Sequence, residues 1–285
     1  MNEELQNLFV YGTLRSQMEN ENFVKNAKTL SRQCFVEGDL FDTGNGYPVL
    51  VPGGGNRAYG ELIQVSKEEL ERIDELEGYA GKGKTNDYER MSIVVHTDLG
   101  EKEAQTYVFD EDKAQGMDPV TYNDWKCHLY LEKPVLYYFA YGSCMDEKRF
   151  IEHSVDHFFK DVLGRGAADG YDLAFTRRAP DGGRADMVET GGLVEGKVYQ
   201  ISQDALKYLY KREGVFGWVY RPAFVDIEIN GEELKDVLTF LVIHKENEIT
   251  PPQSYLDEII CGATGCVSEE YLIRLMELPY HPADQ

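Results

Sequence analysis

Apolar and polar positions alternate in short segments along this chain, and the segments repeat. Leu8–Tyr11 is a brief apolar run that stops at Gly12. Cys34–Phe41, Ala58–Val65, Glu89–His96 and Glu103–Phe109 follow the two-residue period of strands. Met18–Thr29 and the aromatic-studded Val120–Leu131 read as helices, and the glycines at 44–46 and 53–55 mark turns. Ser66 is placed to cap a helix over Lys67–Leu76, with Glu69 at the capping-box position and Gly78 free to take the left-handed conformation that ends it. Glu132-Lys133-Pro134 reads as a linker.

The order then recurs. Strand Tyr137–Tyr141 leads to a helix over Glu147–Phe158, and strands follow at Asp172–Thr176 and Gly192–Ile201. Ser202 caps Gln203–Lys211, which ends at Glu213-Gly214; Ala223–Ile229 and Asp236–Val242 alternate. Helices over Ser254–Cys261 and Ser268–Leu278 close the chain. Two short strings set the register. Tyr11-Gly12-Thr13-Leu14-Arg15 returns as Tyr141-Gly142-Ser143-Cys144-Met145, and Glu77-Gly78 returns as Glu213-Gly214. A repeat of this length is a duplicated domain, not a solenoid unit. The pattern predicts an α+β fold in two related domains, 1–133 and 134–285, each a small mixed barrel or curved sheet with flanking helices.

Charge narrows the partners. Acids outnumber bases 51 to 29, for a net −22, with no basic tract; nucleic acid and anionic membranes are poor candidates on that ground, and neither is expected as a partner. No apolar run approaches the roughly 18 residues of a membrane helix. The acidic start is unlike a secretory signal, and five cysteines without a CxxC pair suit reduced thiols, so a cytoplasmic location is expected. His153 and His157 lack the glutamate of an HExxH frame, so no metal site is expected there. The oligomeric state is open.

The ordered strings resemble the gamma-glutamylcyclotransferase superfamily. Phe9-Val10-Tyr11-Gly12-Thr13-Leu14, Tyr47-Pro48, Gly60-Glu61-Leu62, Glu77-Gly78-Tyr79 and Tyr88-Glu89-Arg90 are similar to the branch acting on gamma-glutamylamines. Phe139-Ala140-Tyr141-Gly142-Ser143, Gly196-Lys197-Val198-Tyr199, Arg212-Glu213-Gly214 and the tail around Tyr255 resemble gamma-glutamylcyclotransferase proper. The resemblance implies release of 5-oxoproline from a small gamma-glutamyl amine, amino acid or peptide, with no cofactor. Glu77 and Glu213 match the catalytic glutamate. Tyr11, Gly12, Thr13, Leu14 and Tyr88 in the first half would hold the substrate, as would Tyr141, Gly142, Ser143, Cys144, Met145 and Tyr255 in the second.

Each residue has a plainer role to set beside that one. A glutamate before a helix-ending glycine can be a surface residue, and Tyr11, Tyr88, Tyr141 and Tyr255 can be packing aromatics. Arg177 and Arg178 could clamp a carboxylate or form a solvated pair. Cys144 stands where the larger branch carries Asn. No histidine is motif-paired with it, which speaks against a nucleophile. Beside the cyclotransferase stand two other readings, a glutamyl-ligand binding protein without turnover and a hydrolase of gamma-glutamyl amides.

Overall fold

In this computed structural model, which describes residues 5–281, burial explains where the first strand lies. β1 (Gln6–Val10) carries Leu8, Phe9 and Val10, all shielded from solvent. It lies between β3 (Pro48–Val65), to which it is antiparallel, and β5 (Gly100–Val108), to which it is parallel. β2 (Lys28–Asp42) and β4 (Glu89–Thr97) complete the order β3-β1-β5-β4-β2. β2 also pairs with β3, so the five strands form a ring, with the two-residue β6 (Asp118–Pro119) beside β2. Closing the ring leaves no long unpaired strand edge. α1 (Lys67–Leu76), α2 (Glu111–Ala114) and α3 (Trp125–Tyr130) sit among the strands.

The chain divides between Tyr130 and Leu131. The second unit contains β7 (Val135–Ala140), α4 (Lys148–Glu152), β8 (Val162–Asp169), β9 (Asp172–Ala179), β10 (Gly182–Val188) and β11 (Leu193–Ser202). α5 (Gln203–Arg212), β12 (Tyr220–Ile229), β13 (Glu232–Val242), α6 (Gln253–Ala263) and α7 (Glu269–Met276) follow. Its closed barrel runs β11-β7-β13-β12-β8, the first ring's order element for element. β7 is parallel to β13, as β1 is to β5. The fold is α+β with two five-stranded barrels. One glycine in each unit makes the closure possible. A methyl group on Gly60 would strike the carbonyl of Val10, and one on Gly196 the carbonyl of Ala140.

Several elements differ from the sequence reading. The polar Met18–Thr29 segment forms turns and one 3-10 turn, Glu21–Val24, before β2 begins at Lys28. Its Asn20 is recruited instead to brace the Tyr-Gly turn, donating from Nδ2 to Thr13 Oγ1 at 3.0 Å. The helix expected over 120–131 is reduced to α3, because Asp124 accepts from the backbone N–H groups of Lys126 and Cys127 and starts the helix there. The helix expected over 147–158 breaks after α4, with Ser154 at φ 56°. The Gly53–Gly55 turn lies inside β3. The ladder jumps from Glu37↔Arg57 to Gly38↔Pro52, and the three glycines bulge out with positive φ. β8 and β10 had no clear alternation in the sequence, while the strand expected at Asp172–Thr176 is β9, which runs on to Ala179. The four N-terminal residues, which read as too acidic for a signal, lie outside the described residues. No helix among the described residues is long and apolar enough to cross a membrane.

A buried charge cluster fixes the first Tyr-Gly turn. Arg15 reaches Glu61 at 3.3 Å and Asp124 at 2.8 Å, all three almost inaccessible, and Ser16 N–H donates to Glu61. The second unit does the same job with opposite polarity, Lys197 donating to the Met145 carbonyl at 2.9 Å. Replacing Arg15 with Met, the residue at the matched position, takes the guanidinium from Asp124 and leaves Glu61 only the longer Lys126 contact at 3.7 Å as an ion pair. Arg15→Met is expected to destabilise the first unit by about 3–5 kcal/mol, read from denaturant unfolding by the fluorescence of buried Trp125.

Candidate active site

The same capping geometry delivers one carboxylate to each barrel. Ser66 and Ser202 cap two ten-residue helices, α1 and α5, by accepting from Glu69 N and Ala205 N. Glu77 and Glu213 are their last-turn caps, donating their N–H groups to Ile73 and Leu209. The following Gly78 and Gly214 adopt φ 64° and 63°, where a side chain would be strained.

Opposite each carboxylate stands the Tyr-Gly turn. Tyr11 donates its hydroxyl to the Tyr107 carbonyl at 2.9 Å, and Tyr141 donates to the Phe240 carbonyl at 2.6 Å. Thr106 and Thr239 reinforce the link, donating to the carbonyls of Phe9 and Phe139. Both tyrosines therefore face their cavities with the hydroxyl already committed to a strand. Among the described residues no acceptor takes the backbone N–H groups of Gly12, Thr13 or Leu14. Gly12 lies so close to Pro48 that an added Cβ would sit 2.8 Å from its ring.

In the first unit these parts surround a cavity of about 680 Å³, within the usual range of about 300–1,000 Å³ for small-molecule sites. Tyr11, Gly12, Thr13, Leu14, Glu77 and Tyr88 all line it. The Glu77 carboxylate is half-buried and receives no hydrogen bond from a described residue. Burial raises its pKa from 4.5 to about 7. Tyr88, beside it, is pushed well above its ordinary value by burial and then by the Glu77 charge. Tyr47, Tyr107, Phe109 and Lys113 also line the cavity, and sequence reasoning did not assign them. Tyr107 is positioned by donation to Asp74 at 2.7 Å, and Asp74 is held by Arg90. The Tyr88-Glu89-Arg90 string was the one available signal for that support.

The second unit brings together Tyr141, Gly142, Ser143, Cys144, Glu213 and Tyr255, but around only about 30 Å³, room for roughly one or two waters. Met145 does not line it. That side chain is fully buried, and Gly262 packs so tightly on it that an added Cβ would clash. Cys144 donates to Glu213 Oε1 at 3.2 Å. Arg212 donates from Nε to Cys144 Sγ at 2.8 Å and from Nη2 to Ser143 Oγ at 3.1 Å. Burial raises the Glu213 pKa, while Arg212, the Cys144 hydrogen bond and Arg177 oppose the rise. Arg178 is an exposed partner of Glu246 at 3.0 Å. Tyr138, Ala185, Tyr220 and Phe240 complete the lining and were missed, because only the closed barrel and the hairpin bring them here.

Two barrels of one order, each with a glutamate at a helix end above a Tyr-Gly turn, define a cyclotransferase-type enzyme fold. Known proteins agree. Residues 8–127 match a family described as gamma-glutamyl cyclotransferase, AIG2-like, and residues 193–275 match the AIG2-like family. YkqA of Bacillus subtilis, which carries a provisional gamma-glutamylcyclotransferase name, is 42% identical over 272 residues, covering 94% of this chain and 95% of its own. Its crystal structure superposes with a TM-score of 0.86 at 39% identity, covering 97% of this chain and all of that one. The gamma-L-glutamyl-butirosin B gamma-glutamyl cyclotransferase of Niallia circulans is 39% identical over 150 residues, 52% of this chain and 88% of its own. The chain belongs to the gamma-glutamylcyclotransferase family of enzymes.

The raised Glu77 pKa has a stability consequence of definite sign. Below pH 4.5 the group is protonated in both states and costs nothing. Between pH 4.5 and about 7 the unfolded chain ionises first, stability falls, and above 7 the loss is complete. Glu77→Gln should therefore be more stable than the natural chain at pH 8, by about 1–3 kcal/mol, with the difference vanishing near pH 4. Denaturant unfolding at the two pH values measures it.

Proposed function

We propose that the first unit releases 5-oxoproline from a gamma-glutamyl amine, amino acid or peptide, with Glu77 as general acid and base. The observation that carries the reading is the Glu77 carboxylate, free of hydrogen-bond donors among the described residues and poised near neutrality. It lies in a cavity whose wall includes undonated backbone N–H groups.

The substrate supplies its own nucleophile. Its free α-amine attacks the γ-carbonyl carbon, forming the new C–N bond of a five-membered lactam through a tetrahedral intermediate. Glu77 takes the proton that the attacking nitrogen sheds and returns it to the departing nitrogen as the old amide bond breaks. The products are 5-oxoproline and the free amine, with no net proton left on the enzyme. Because the nucleophile is tethered, holding the near-attack geometry supplies much of the rate. The Gly12–Leu14 turn suits that task, since its N–H groups can hold the glutamyl carboxylate or stabilise oxygen charge in the intermediate. A base with a pKa near the working pH transfers protons best in both directions. Tyr47, Tyr88 and Phe109 offer apolar faces to the substrate.

The test is mass-spectrometric detection of 5-oxoproline from a panel of gamma-glutamyl amines, amino acids and peptides. Glu77→Gln should lower kcat/KM by about 10²–10⁴-fold. The natural enzyme's kcat/KM should rise with pH through about 7 as Glu77 ionises, and that limb should vanish in the variant. Free glutamate in place of 5-oxoproline would make the protein a hydrolase.

A further inference from the structure

The two mouths differ at two matched positions. In the register of the Tyr-Gly and Glu-Gly pairs, Leu14 stands where the second unit has Cys144, and Leu76 where it has Arg212. Leucines can neither donate to the carboxylate nor cross-link the turn, and the first cavity is open. We propose that the second unit's site is a latched copy, held shut by the hydrogen-bonded chain Arg212–Cys144–Glu213, which confines glutamyl turnover to the first unit. This rests on the cyclotransferase reading.

The donor directions close the chain in one sense only. The single Cys144 proton goes to the Glu213 carboxylate, so Sγ is left to accept from Arg212 Nε at 2.8 Å. Tyr138 also hydrogen-bonds the thiol. Arg212 then ties the assembly to Ser143, the third residue of the turn where substrate would lie. The Cys144 proton occupies Glu213 Oε1, and a glutamyl group cannot enter about 30 Å³ without displacing the thiol. The opposite wall is tied as well. Ala185 N–H donates to the Tyr255 hydroxyl at 3.3 Å, and the Tyr220 hydroxyl donates to the Ala185 carbonyl at 2.8 Å. Ala185 lies on β10, part of the β9–β10 hairpin that the chain inserts between the paired strands β8 and β11, where the first unit has only the short turn joining β2 to β3. Burial pushes the Cys144 thiol up to about 12, so it stays neutral and is neither nucleophile nor ready target of oxidation.

The latch can be read without any substrate. The full chain is treated with iodoacetamide at pH 8, and each cysteine is followed by peptide mass spectrometry. Exposed Cys261, in the same unit, is the reference. Cys144 is expected to react at least about 100-fold more slowly than Cys261; Arg212→Leu removes a charge that favours the thiolate, yet by opening the site it should speed the reaction by at least about tenfold. Equal rates at Cys144 and Cys261 in the natural chain, or no acceleration in Arg212→Leu, would overturn the latch. If Arg212→Leu loses its unfolding transition, Arg212→Gln decides in its place. A second arm measures the 5-oxoproline remaining in Glu77→Gln. Residual product below about one-hundredth of the natural level is expected. A large remainder that disappears in the Glu77→Gln/Glu213→Gln double variant would sink the latch and leave the cyclotransferase intact. A natural chain that makes no 5-oxoproline would overturn the activity, and the thiol rates would still judge the latch.

Discussion

Everything at either mouth depends on one constraint, the parallel pairing of the first and last strands of each five-stranded ring. Parallel neighbours cannot be joined by a hairpin, so this pair is brought together late in the chain, and side chains reinforce it. Thr106 and Thr239 hydroxyls bind the carbonyls of Phe9 and Phe139, and Tyr11 and Tyr141 hydroxyls bind Tyr107 and Phe240. The tyrosines stand at the end of the pairing, so the turn that follows is held at the rim of the barrel. The helix-end glutamate is delivered to the same rim by a Ser cap at one end and a left-handed glycine at the other. Without the strand pairing, turn and carboxylate would have no fixed relation.

On that common frame the two units have diverged in how they support the turn. The first buries an Arg15–Glu61–Asp124 cluster beneath it, and the second uses one lysine donated to a backbone carbonyl. With Lys126 also paired to Glu61, this buried cluster of four charges confers geometry more than stability, since desolvation offsets much of the attraction. The mouths have diverged further. An isolated carboxylate in a roomy cavity is desolvated without compensation, which lifts its pKa to about 7. The second carboxylate is also desolvated, but a thiol donor and two arginines favour its charged form. The same residue in the same capping position thus meets two different electrostatic environments.

Much of the fold was legible because the repeat supplied two readings of each element. The capped helices α1 and α5, with Ser66, Ser202 and their terminal glycines, followed from local chemistry alone. The failures have a common physical origin. Met18–Thr29 and 147–158 have helical composition, but tertiary demands on Asn20 and a left-handed Ser154 break them. The Gly53–Gly55 segment reads as a turn because glycine is needed there; the turn is a bulge inside a long strand. β10, the partner of the expected strand at Asp172–Thr176, escaped notice because its glycines and charges mask its alternation.

By itself the sequence determined the duplication, the α+β class, the family and, Met145 excepted, the residues of the Tyr-Gly and Glu-Gly strings that line each cavity. These rest on local rules: strand period, helix caps and the conformational freedom of glycine. Only the tertiary structure decided that one cavity is about 680 Å³ and the other about 30 Å³. Cavity size and proton affinity depend on what packs against a carboxylate from distant parts of the chain. Leu14 and Leu76 leave that space open, while Cys144 and Arg212, 68 residues apart, meet and fill it.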